Sequence, residues 1–144
     1  MALNLNIDIK DTDTSFPVLK AGMHEMIIKE TNIAPNKAGN GNNLLVVFAT
    51  TEESESLSGD TLKPGFTVRK YYPLQDSEKD NSMWKRNLAT LIDAALKIKN
   101  PSDRPLITEE VIASLRGESV KVTTKIENSA EYGPQANVSS VSAL

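Results

Sequence analysis

The chain of 144 residues has no cysteine and a single histidine. That rules out disulfides and thiolate metal sites. It also lacks any apolar run long enough to span a membrane. Its first residues, MALNLNIDIKDTDTSF, show no basic start, no signal-length apolar stretch and no cleavage pattern. A soluble chain of the cytoplasm is therefore expected. Positive charge is not in excess: 16 Lys and Arg stand against 19 Asp and Glu, a net charge of -3. A domain that grips nucleic acid by charge alone is usually basic, although a local basic face survives a mildly acidic total.

Catalytic patterns are equally scarce. Gly39-x-Gly41 begins like a dinucleotide fingerprint, but Leu44 stands where the third glycine belongs and an apolar strand-like run follows instead of a helix. Neither a phosphate-binding loop, a zinc spacing nor a nucleophile elbow is present. His24 has no recognisable nucleophile beside it. Glu52, Glu53 and Glu55 sit in a polar stretch with no apolar pocket to raise a pKa. Asp11 and Asp13 lack the further oxygen ligands of a calcium loop. No enzyme, metal or cofactor is expected.

The chain is organised around Gly22 to Thr50. Two apolar runs, Met23–Ile33 and Leu44–Ala49, flank the polar stretch Pro35–Asn42, and together they predict a hairpin with a mobile tip. The nearly unbroken Leu44-Leu45-Val46-Val47-Phe48 predicts a strand covered on both faces, as in a small barrel. Before the hairpin, Leu3, Leu5, Ile7 and Ile9 alternate with polar residues. Residues 1–15 thus read as an arm or edge strand, ahead of one domain over 16–144. A third strand is expected within Thr61–Leu74, after an acidic loop ending at Gly59, and the interrupting Pro64-Gly65 marks either a bulge or a strand start at Phe66. From Phe66 onward Val68, Lys70 and Tyr72 share one face, and Arg69 and Tyr71 the other. Ser82 caps a predicted helix from Met83 to about Lys97. Its stripe of Trp84, Leu88, Leu91, Ile92, Ala95 and Leu96 must be buried. Thr108 caps a short helix over Glu109–Leu115, ended by Gly117. Ser119–Glu127 alternates as a half-buried strand with Lys121 and Lys125 outward, and Asn137–Ala143 is a short final strand.

Strand, strand, strand, helix, strand, strand is the layout of the OB-fold, a small five-stranded Greek-key barrel. Lys29, Lys37, Arg69, Lys70, Lys121 and Lys125 lie on its strands or connecting loop, with Tyr71, Tyr72 and Tyr132 among them. Cationic grooves with aromatic platforms are how single strands are held.

The chain resembles a family of small phage-encoded OB-fold proteins that bind single-stranded DNA, whose genes lie among replication and recombination genes. Five stretches carry the resemblance: FPVLKAGMHEMII from Phe16; the Gly-Asn hairpin from Lys37 to Leu44 with Val46 and Phe48; the helix Trp84–Leu96; Leu115-Arg116-Gly117 leading into Val120 and Val122; and Tyr132-Gly133 with Asn137-Val138. What it implies is non-catalytic binding of single-stranded DNA in phage replication or recombination, in the host cytoplasm. Lys37, Arg69, Lys70, Lys121 and Lys125 would meet phosphates and Tyr71 would stack a base. Phage replication or recombination proteins and a second copy of the chain are further candidate partners. The ending Ser139-Ser140-Val141-Ser142-Ala143-Leu144 departs from the acidic tail many such proteins use for recruitment. Two other readings use the same barrel: a protein–protein module, as a replication accessory or host-factor inhibitor, and a virion component.

Overall fold

The computed structural model describes residues 5–10, 17–35, 41–74, 83–131 and 133–144. The expected hairpin is present. Strand β1 (Gly22–Pro35) pairs antiparallel with β2 (Asn42–Thr50), from Met26 opposite Thr50 to Pro35 opposite Asn42. The hairpin tip, and with it Lys37, lies outside the described residues, as do Ser82 and Tyr132. Leu44, Val46 and Phe48 face the core and are fully buried. Val47 and Ala49 point the other way, yet they are only 5% and 4% exposed. Over Val46–Ala49 the apolar run is unbroken because both faces of β2 are covered, whereas Leu45 is half-buried on the outer face.

β1 serves different neighbours along its length. Its first half pairs with β6 (Ser119–Ser129), from Gly22 opposite Thr124 to Ile27 opposite Ser119. The β2 register then slips at Lys29, a bulge between Ile28 and Glu30. At that point the Gly117 N–H donates to the Ile28 carbonyl at 2.7 Å, and the Ile28 N–H donates to the Glu118 carbonyl at 2.9 Å. Beyond the bulge, β1 turns its free edge to helix α2 (Glu109–Ser114). There the Thr31 hydroxyl donates to the Ile112 carbonyl, and the Arg116 guanidinium donates to the Thr31 hydroxyl and carbonyl. A bulge bends and twists a strand, which lets one long strand change partner without orphaning its backbone.

The stretch read as an acidic loop followed by the start of a third strand is organised differently. Ser54–Glu55 (β3) and Thr61–Leu62 (β4) form a separate two-stranded ribbon. Leu19 bridges to Ser56 beside it, and the Lys20 N–H donates to the Glu55 carbonyl. Gly65, at φ 96°, then turns the chain, its N–H held by the Thr50 carbonyl. Only after this does the third long strand, β5 (Thr67–Leu74), begin its pairing with β2. Thr61 therefore belongs to another sheet, and of the two expectations for Pro64-Gly65 the strand start near Phe66 is the one adopted.

Helix α1 (Met83–Leu96) buries Leu88, Leu91, Ile92, Ala94 and Ala95 against β5, β6 and the last strand, β7 (Gly133–Ala143). Trp84 and Leu96 are half-buried at the rim of the core. α2 starts as expected, the Thr108 hydroxyl accepting from the Val111 N–H. β7 begins earlier than the expected Asn137, at Gly133 opposite Ser129. It tolerates Pro134 because it is an edge strand, where a missing N–H need not break a ladder.

The long strands form one antiparallel sheet in the order β5-β2-β1-β6-β7. The expected mainly β architecture, with α1 following the third long strand, is what the chain adopts. The sheet's two edges, β5 and β7, approach one another, and the Lys70 ammonium donates to the Val138 carbonyl across the gap at 3.3 Å. Among the described residues no ladder joins them.

Candidate nucleic-acid interface

The outer surface of the sheet can be read off the ladders, since alternate residues share a face. On β5, Arg69 and Tyr71 point outward, and Tyr71 is 59% exposed. Their positions two residues apart place them about 7 Å from one another. Arg69 stands opposite Val47, and Tyr71 opposite Leu45. Continuing across β2, Val47 stands opposite Glu30, and Leu45 opposite Asn32. The row running through Arg69 thus ends in a carboxylate, and the row through Tyr71 ends in an amide. Arg69 makes no ion pair among the described residues.

Lys70 lies between them in sequence but on the opposite face. It shares the inward side with Val68 and Tyr72, and its ammonium sits 5.5 Å from the centre of the Tyr72 ring. Burial lowers its pKa from the ordinary lysine value and raises that of the Tyr72 phenol well above the usual tyrosine range. With the Val138 carbonyl as its acceptor, Lys70 works as a tie between the two sheet edges. The structure does not bring it together with Arg69 and Tyr71.

Lys121 and Lys125 do lie on the outer face of β6, but each has an acidic neighbour. Lys121 is directly opposite Glu25 on β1. Lys125 pairs with Glu127 at 3.5 Å, and the Asn137 amide donates to that same carboxylate at 2.7 Å. Two strands, β2 and β1, separate this group from Arg69 and Tyr71. Lys29, exposed at the bulge, lies nearer to them.

Neighbouring acids are what residue type alone could not locate. Glu25, Glu30 and Glu127 acquire their positions from the register, and the bulge at Lys29 shifts that register in the middle of β1. Sequence reading also missed two concave surfaces. One is a groove of about 700 Å³ between the first halves of β5 and β7, closed at one side by Pro17–Leu19. The other, of about 600 Å³, lies between α1 and the segment from Arg104 to Ile112 and is mostly apolar. Arg104 is pinned there by two bonds to Asp93, at 2.8 and 2.6 Å.

His24 is spoken for locally, its Nε2–H donating to the Lys20 carbonyl at 2.9 Å. Among the described residues no group of three or more His, Asp or Glu could hold a metal ion. Among the described residues no helix is long and apolar enough to cross a membrane. No protein-family model matches the chain, and no curated protein matches it.

Proposed function

We propose that the chain is a non-catalytic binder of single-stranded DNA built on an OB-fold-type barrel, and that its site is the outer face of β5 and β2. The observation that carries this is the adjacent pair Arg69 and Tyr71, both exposed, the arginine without an ion-pair partner among the described residues. One cation for a phosphate next to one ring for a base is the minimal unit of single-strand binding. The strand order, with the first strand central and the helix after the third, supports the fold half of the reading. Leu45 beside Tyr71 widens the apolar platform. A role in phage replication or recombination is part of the same proposal and rests on the family resemblance. The test is a titration of labelled single- and double-stranded oligonucleotides at low and moderate salt. Saturable binding with preference for the single strand supports the proposal, and no binding at low salt ends it.

The groove between α1 and Arg104–Ile112 favours a second reading, a protein–protein module. Leu106 at its rim is 85% exposed and Ile107 is 37% exposed. Adjacent exposed aliphatic residues beside an apolar groove fit a protein partner better than a nucleic acid.

A further inference from the structure

The N-terminal arm and the open seam of the sheet match one another. Leu5, Ile7 and Ile9 alternate with Asn6, Asp8 and Lys10, the pattern of a strand with one buried face. Yet in the single chain the three apolar residues are 71%, 73% and 71% exposed. No ladder or bridge includes residues 5–10; the hydrogen bond they make among the described residues is local, from the Lys10 N–H to Asp8 Oδ1 at 3.0 Å. Such a strand lacks both halves of what stabilises it, a backbone partner and an apolar surface.

The seam supplies both. β5 and β7 are the two unpaired edges of the sheet. Along residues 66–69 and 134–137 they flank the 700 Å³ groove, at whose floor Phe66, Val68 and Ala136 show the flank of the core. Gln135 and Asn137 alternate with Ala136 and lie toward the outside. The Lys70–Val138 tie ends the groove at its far side. Three residue steps on each edge give it a length of about 10 Å. Side chains at alternate positions of a strand are about 6.7 Å apart, so two of the three arm aliphatics fit the floor at once. Their polar neighbours would then face water.

We infer that the arm of one copy of this chain seats in the β5–β7 groove of a second copy, adding a strand there by backbone pairing. A second copy is the occupant because, in the single chain, the arm stays exposed while this chain's own Val18 already walls the groove. Strand addition to a free edge is an established mode of recognition: backbone bonds hold the strand and alternate side chains set its register. The resulting contact joins unlike surfaces, arm to groove, so it closes as a reciprocal dimer or continues as a chain of copies. The groove shares Arg69 with the proposed DNA site, but the inference does not rest on DNA binding and is tested without DNA.

Sedimentation equilibrium of the full chain, without DNA, tests it first. Concentration-dependent association is expected, abolished by Ile7→Asp, a change at an exposed position whose effect on the fold is checked by circular dichroism. Because the natural chain has no cysteine, placement can be read by cross-linking. Asp8→Cys mixed with Gln135→Cys should give a disulfide-linked pair, and Asp8→Cys mixed with Ser102→Cys should not. A wild-type chain that remains monomeric overturns the inference. So does association that Ile7→Asp leaves intact. An Asp8→Cys/Gln135→Cys double variant that closes its disulfide within one chain also overturns it, by making the chain's own arm the occupant.

Discussion

If Arg69 and Tyr71 form the DNA site, removing each should leave a different signature on the salt dependence of binding. The structure limits how many cations take part. Lys70 is committed to Val138, Lys121 faces Glu25, and Lys125 is paired with Glu127. Among the described residues, Arg69 and the exposed Lys29 remain on the β5–β2–β1 side. Each phosphate neutralised on a single strand contributes about -0.7 to the slope of log affinity against log salt, so two contacts give roughly -1.4. Recruiting Lys121 and Lys125 from their carboxylates would bring the slope to about -2.8. Arg69→Ala should flatten the slope by about 0.7 and weaken binding mainly at low salt. Tyr71→Ala removes a stacked base worth about 1–3 kcal/mol, roughly 5- to 150-fold in affinity, at every salt concentration and with the slope unchanged. Glu30→Gln, which removes the carboxylate at the end of the Arg69 row, should strengthen binding at low salt. Fluorescence anisotropy of a labelled pyrimidine oligonucleotide over a salt series measures all three. If neither Arg69→Ala nor Tyr71→Ala changes affinity in a folded protein, this face is not the site.

Two further outcomes concern the fold. Leu91 is fully buried under α1, so Leu91→Ala should cost about 2–5 kcal/mol in denaturant unfolding; a loss below about 1 kcal/mol would mean that the helix is not seated on the sheet as described. Stability should also turn over near pH 10. Burial lowers the Lys70 pKa, so below the ordinary lysine value the unfolded chain holds more protons and stability rises with pH. Burial raises the Tyr72 pKa, so above the ordinary value of 10.0 the folded chain holds the extra proton and stability falls, by at most about 1.4 kcal/mol per pH unit. Tyr72→Phe should make the alkaline limb less steep by that contribution, and an unchanged limb would place the phenol in water.

The long strands and α1 were legible because each carries a single periodicity over enough residues to average out exceptions. Alternation from Val120 to Ile126 and the stripe from Leu88 to Ala95 are local signals with one meaning. The misread places are those where pairing across a turn, rather than local composition, decides. Thr61 joins a ribbon with Ser54–Glu55, a pairing that depends on where Gly65 turns the chain. Gly133 and Pro134 look like a loop by composition, yet they extend β7 because Ser129 and Asn128 lie opposite them at the sheet's edge. Lys70 shows a different failure. Its place on the inward face followed from alternation, but a lysine there has to find an acceptor, and the Val138 carbonyl lies 68 positions further along the chain.

Charge on the outer face is divided by the central strand, which limits how any polyanion can run. β1 carries Glu25 and Glu30 outward, between the Arg69–Tyr71 pair on one side and Lys121 and Lys125 on the other. A track straight across the sheet would bring phosphates over two carboxylates, each of which offsets a cation's attraction at comparable range. Going round the seam avoids both. Arg69 and Asn137 line the same groove, and Asn137 is the ladder partner of Lys125. Among the described residues that line the groove or pair with Lys125, the acidic residue met on the seam route is Glu127, already bonded to Lys125 and Asn137. Glu127→Gln should therefore free Lys125 and strengthen binding at low salt only if the strand follows the seam. The same change does nothing for a strand confined to β5 and β2, so comparing Glu127→Gln with Glu30→Gln distinguishes the two paths.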